Sequence, residues 1–297
     1  MTKQMTLNKN LFKYLIAAAV LVAASYQNSY ADGFPVRPGR FILSPSVSYF
    51  FANKQFDSTS HRRAFDDNGR FHSLSYSLYG EYGISRKFTL SALVPYTMNY
   101  FKTDATPAAT TVNGLQDVEI GLKYYLANIN YKYYFSLKAT GIIPTYRNNA
   151  NLGYGQYGAE LKLAFAGSGH LFGKQSFFVL ENGVRDYFGM SEDAVFQDRY
   201  GATYGLTLDK KFKEQLSLSF SGFYTTSTNK LFNNNPIISA NPNTSRNFAF
   251  NQVSLSYGHA FAKNLSLFLT GGTFITGRNT GAGTSLSASL NYRIDTR

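Results

Sequence analysis

The chain contains no cysteine and no tryptophan, and only 15% of its 297 residues are charged, against an ordinary share of about 25%. Without cysteine, disulfides and thiolate metal centres are excluded outright. No stretch beyond residue 31 reaches the roughly 18 apolar residues that a membrane-crossing helix needs. No phosphate-cradling glycine motif and no zinc motif occurs. Helical spacing of apolar residues is missing as well, and the period that recurs is two. What is abundant is aromatic: Tyr 23 and Phe 26, residue types that favour strands.

The amino terminus reads as an export signal. Lys3, Lys9 and Lys13 precede the apolar core 15–24, and Ser29 and Ala31 stand at small-residue positions before a cleavage point at Asp32. The expected organisation is a signal peptide over 1–31, a short periplasmic leader over 32–40 and one β-domain over 41–297.

Strict alternation runs through that domain. In 114–126, Val118, Ile120, Leu122, Tyr124 and Leu126 alternate with Asp117, Glu119, Gly121 and Lys123, and Tyr125 is the exception. Segments 41–51, 74–84, 88–98, 159–165, 200–208 and 286–294 repeat the pattern. Less regular ones fill 131–144, 176–187, 215–226, 248–261 and 265–276, and a bulge is expected in the poorest, 177–187. That makes twelve strands, most of them long enough to cross a hydrocarbon layer at a tilt. Long connections (52–71, 100–115, 145–156, 188–198, 227–246, 277–284) alternate with short ones (85–87, 127–130, 167–174, 209–214, 262–264).

These features predict a transmembrane antiparallel up-and-down β-barrel of about twelve strands, with both termini periplasmic and the long loops outside. In lipid an unpaired backbone polar group costs several kcal/mol, so strands persist only in a closed cylinder. The apolar set then faces acyl chains and the polar set faces the lumen. A soluble β-sandwich or lipocalin-like barrel would invert that assignment. Tyr and Phe beside the short turns suit an interfacial girdle.

The expected lumen residues are Asp117, Glu119, Lys123, Lys138, Glu160, Lys162, Glu181, Arg185 and Arg199. Glu119 or Lys123 beside Lys138, and Lys138 beside Glu160, suggest a ladder of ion pairs. The ladder either forms a polar constriction or fills the interior. In the long loops, Arg62, Arg63, Arg70, Arg147, Arg246 and Arg278 are candidates for lipopolysaccharide phosphates, which guanidinium forks suit. Basic residues at the short turns, such as Arg86, Lys87 and Lys213, wet a rim or draw anions. The formal charge of +12 is spread over loops, which does not suit nucleic acid.

Residues 113–126, 137–165 and 268–294 resemble the outer-membrane family named after the meta-pathway of phenol degradation. They share with it a Gly-Leu-x-Asp strand opening, a proline-ended strand before a Gly-rich loop, and a Gly-Arg-Asn loop before the closing strand. The resemblance covers roughly 88–297. It implies a barrel that admits small, often aromatic or hydrophobic, compounds, and it brings no catalytic residues. The ending Asp295–Thr296–Arg297 departs from the aromatic last residue that assembly machinery reads.

Three functions stay open. They are a channel for small solutes, a non-conducting structural or surface-interaction barrel, and a lipid-modifying enzyme. None of the four histidines has a serine two residues on, as lipase-type barrels require. No cofactor and no metal is expected. Expected partners are outer-membrane lipid and lipopolysaccharide, a small solute and the barrel-assembly machinery, with the chain a monomer or a small homo-oligomer.

Overall fold

The computed structural model describes residues 33–105, 108–146, 152–188, 195–211, 213–227 and 246–295. The segment expected to be an export signal, Arg147 and most of the 227–246 connection fall outside these. Among the described residues twelve antiparallel strands form a barrel: β1 (Arg40–Ala52), β2 (Arg70–Gly83), β3 (Phe88–Lys102), β4 (Thr110–Leu115 and Val118–Ile129, interrupted at Gln116 and Asp117), β5 (Tyr133–Ile143), β6 (Gly158–Leu171), β7 (Lys174–Tyr187), β8 (Val195–Thr207), β9 (Glu214–Ser227), β10 (Ala249–Ala262), β11 (Leu265–Arg278) and β12 (Thr284–Asp295). Each strand pairs with the next, and β12 pairs back to β1 from Arg40↔Asp295 to Phe51↔Thr284. The sheet therefore closes and has no edge to protect. At the seam Arg40 Nε holds Asp295 Oδ1 at 2.8 Å, which gives the non-aromatic ending a partner.

The pleat sorts side chains by polarity, with the apolar set outside. On β4, Leu122 is 43% exposed on the outer wall while its neighbour Lys123 is 1% exposed inside. Leu78, Leu90, Leu161, Leu218 and Leu255 line the outer surface in the same way. Inside stand serines and threonines that bond across strands, including Ser46–Ser77 at 2.7 Å and Ser75–Thr97 at 2.8 Å. A soluble sandwich or lipocalin-like barrel needs the opposite arrangement, so those readings fall.

Two of the tight hairpins show why their short connections work. Asn130 and Tyr131 both take positive φ, as do Phe172 and Gly173. Two successive positive φ values make a type I′ turn, whose twist matches that of the flanking strands. Tyr131 and Phe172 are 82% and 89% exposed at these tips, where aromatic rings suit a headgroup layer.

The structure departs from the sequence reading in four places. The expected bulge in 177–187 is absent, and β7 keeps an unbroken register with β6 and β8. Its poor alternation has another cause: Val179 faces inward and is buried, and Asn182 faces outward and bonds Asp198 Oδ1 at 3.0 Å. Register shifts occur instead at Tyr125/Ala127, Asn251/Gln252 and Ala260/Ala262. The 100–115 connection is mostly strand, since Thr110–Leu115 pairs with the end of β3. Lys54–Phe56 and Arg62–Ala64 form a small outer sheet with Thr280–Gly281, so the 52–71 and 277–284 loops are tied together.

Residues 33–39 turn into the barrel at the short-turn end. Tyr125, the exception to the alternation of β4, points inward and donates its hydroxyl to the Phe34 carbonyl. The Phe34 ring packs edge-on to Tyr134 at 5.6 Å. Gly33 lies so close to Ala166 of β6 that a Cβ there would come within 2.3 Å of the alanine Cβ. Val36 is buried, and Gly39 N donates to Gly83 O at 2.8 Å, anchoring the segment where β2 ends.

Candidate functional site in the lumen

All nine expected lumen residues point inward, and six of them converge. Arg185 of β7 is 2% exposed and donates from Nε to Glu160 Oε2 at 2.8 Å and from Nη2 to Glu119 Oε1 at 2.7 Å. Arg199 Nη1 reaches the same Glu160 oxygen at 2.9 Å. Lys162 Nζ lies 3.5 Å from Glu181 Oε2 and 4.0 Å from Glu160 Oε1. Asp117 stands apart at the interruption of β4, where it accepts from Tyr146 Oη at 2.8 Å.

The expected ladder through Lys138 is replaced by a different arrangement. Lys138 stands directly opposite Lys123 on one side and Lys162 on the other, and like charges in that position repel. Lys123 instead bonds Glu81 of β2 at 2.9 Å, and Tyr79 Oη donates to the same carboxylate oxygen at 2.7 Å. The Lys138 ammonium sits 5.6 Å from the Tyr79 ring centroid. Glu81 belongs to the inward set of its strand, and that parity was the signal available for it.

The larger omission is an arc of phenylalanines on the inner wall. Phe71 packs on Phe50 at 6.0 Å, Phe50 on Phe274 at 5.3 Å, Phe274 on Phe250 at 4.1 Å and 8°, and Phe250 on Phe223 at 5.1 Å. The Arg199 guanidinium lies 4.3 Å from the Phe223 centroid. The arc thus runs into the ionic cluster, and together they make one belt from β2 through β1 and β11–β6 to Glu119 of β4. One side of the belt is phenyl and the other is ionic. Each stacked pair adds roughly 0.5–1.5 kcal/mol beyond burial, which holds the rings as one continuous row on the wall. The parity signal existed here too: Phe50 follows Ser46 and Ser48, and Phe250 precedes Gln252 and Ser254, all at inward positions.

The belt surrounds a cavity of about 570 Å³, within the range of small-ligand sites. Ser73, Ser75, Thr270 and Ser287 contribute to its walls. At its rim stand described residues of the connection between β5 and β6. Thr145 Oγ1 donates to Gln116 O, Gln116 Nε2 donates to Leu152 O, and Tyr154 packs on Tyr187 at 4.6 Å. Burial and the Asp117 carboxylate push the Tyr146 phenol well above the usual tyrosine range, so it stays a donor to Asp117.

Among the lipopolysaccharide candidates, Arg62 and Arg63 stand exposed on the small outer sheet and Arg70 is exposed at the start of β2. Arg246 turns toward Tyr154, 5.9 Å from its ring, and Arg278 closes β11.

Among solved structures the barrel superposes on an outer-membrane channel from Pseudomonas putida F1, with a TM-score of 0.66 and 13% identity over 90% of this chain and 100% of that one. The fold is that of bacterial outer-membrane barrels. The NanC porin is similar at a TM-score of 0.52 and 6% identity, covering 85% of this chain and 100% of the porin. The transport unit of the autotransporter AIDA-I from Escherichia coli gives 0.50 and 9%, covering 93% and 97%. No protein-family model matches the sequence, and no curated protein matches it. A closed twelve-strand cylinder with a polar, partly aromatic bore is thus the frame in which the belt has to be understood.

Proposed function

We propose that the barrel is a passive outer-membrane channel for small solutes, aromatic or hydrophobic ones foremost. The observation that carries this reading is the belt, in which an arc of phenyl rings opposes a fixed cluster of charges inside a bore otherwise walled by serines and threonines. A solute with an aromatic ring can slide along the phenyl arc while a polar substituent stays solvated by serines or the ionic side. A sugar of similar size offers only a narrow C–H face to the arc and must give up more hydroxyl hydration beside it. The charges bond one another, so they supply a transverse field without a large net attraction for either sign of ion.

The test is uptake by proteoliposomes of a labelled phenol-sized alcohol and of a labelled hexose. The aromatic solute is expected to enter severalfold faster, and the double substitution Phe250→Ala with Phe274→Ala is expected to erase the difference. Equal rates for both solutes in the unaltered protein would refute the selectivity. No entry of either would favour a non-conducting structural barrel. A specific observation gives that second reading weight: residues 33–39 lie across one end of the bore, and Thr145, Leu152 and Tyr154 stand at the other.

A further inference from the structure

A different feature lies on the outer wall, at the end that bears the long connections. Arg70, the first residue of β2, stands directly opposite Lys102, the last of β3. Both side chains are exposed on the outward face. Neither has a carboxylate partner among the described residues. Of the nearby loop acids, Asp104 is held by Asn68 Nδ2 at 2.8 Å and Asp66 by Arg63 Nη1 at 3.3 Å, and Asp67 bridges to neither cation. Two like charges face to face on one side of a sheet destabilise it, unless an anion sits between them.

One step down the wall is a group of rings. His72 is paired with Tyr100 on one side and Phe51 on the other. Its ring lies 4.9 Å from Phe51 and 5.8 Å from Tyr100, and Tyr49 Oη hydrogen-bonds its Nδ1. Beneath the rings the wall is apolar, with Met98 40% exposed. The sequence from the mouth downward is therefore cation pair, amphipathic rings, then grease. That is the order of chemistry in a phosphorylated glycolipid: phosphate, sugar, acyl chains.

The geometry points to a binding site for the lipid A portion of lipopolysaccharide. One phosphate bridges Arg70 and Lys102, the saccharide rests against His72, Tyr100 and Tyr49, and acyl chains follow the wall below. The guanidinium fork and the ammonium both suit phosphate oxygens, and aromatic rings favour headgroup depth. The site rests on the reading that the long connections face out of the cell, where lipid A resides. It lies outside the bore, so it does not depend on what the bore conducts.

The test uses the exported chain purified in detergent. Native mass spectrometry measures binding of bisphosphorylated lipid A, its dephosphorylated form, and phosphatidylglycerol. Bisphosphorylated lipid A is expected to bind best. The double substitution R70Q/K102Q should weaken it roughly thirtyfold, the combined effect of two headgroup-level cations, while K210Q/K211Q, at the short-turn end, leaves it unchanged. Equal binding of the dephosphorylated lipid, equal binding of phosphatidylglycerol, or indifference to R70Q/K102Q would each overturn the site. Orientation is checked separately: because the chain has no cysteine, a single Thr59→Cys should react with an impermeant maleimide on intact cells. Protection of that cysteine would place the site in the wrong leaflet and overturn it as well. Solute entry should be the same in R70Q/K102Q as in the unaltered protein, so failure of the lipid site leaves the channel reading intact, and the reverse also holds.

Discussion

Arg185 binds three groups at once inside the barrel: Glu160, Glu119 and the Tyr187 hydroxyl. Its fork reaches carboxylates on β6 and β4, so it ties together strands that do not all touch. Removing it takes from Glu119 its guanidinium donor and leaves Glu160 to Arg199 and Lys162, and breaking such a buried network costs about 3–5 kcal/mol. Arg185→Ala is therefore expected to lower the unfolding free energy in detergent micelles by about 3 kcal/mol or more, read as a shift in the denaturant midpoint. A shift under about 1 kcal/mol would mean that the cluster is solvated as a surface pair is. Arg185→Lys should recover only part of the loss, since an ammonium cannot fork to both carboxylates. Lys123 is held by Glu81 of β2, on the opposite side of β4 from the Arg185 cluster.

At the scale of strands and turns, the β6–β7 hairpin makes a sharp comparison between two glycines. Gly173 has φ +73° and open space around its Cα, whereas Gly169 lies in β6 with the nearest foreign atom 3.6 Å from a built Cβ. Gly173→Ala should cost about 1 kcal/mol from backbone conformation alone, and Gly169→Ala close to nothing. Equal melting temperatures for the two variants would show that the turn relaxes freely. The strands themselves were legible in sequence because the bilayer imposes a period that leaves little choice: Leu122 and Lys123 cannot exchange faces. The nine charged lumen residues followed from the same rule. The phenyl arc did not, because Phe50, Phe250 and Phe274 break the rule that the inside is polar; their stacking on one another, across β1, β10 and β11, compensates for it. Equally hidden were Tyr125 and Val179, whose inward apolar surface makes sense only with residues 33–39 against it. Pairing of Lys123 with Glu81 was hidden by curvature, since β2 and β4 are not sequence neighbours or adjacent strands and meet only across the bend of the wall.

Among the described residues the molecule is a cylinder with its own chain, residues 33–39, laid across the short-turn end of the bore. Deleting residues 33–39 should raise single-channel conductance roughly twofold or more by widening the narrow end, without loss of heat-modifiable gel mobility. Unchanged conductance would locate the resistance at the β5–β6 connection instead. That same segment has a mechanical consequence. It leaves β1 at the seam and reaches Ala166 and Val179 on β6 and β7, half a circumference away in a ring of twelve. It acts as a strut across the diameter, and squeezing the cross-section along that line presses Gly33 into Ala166 and Val179 of the far wall.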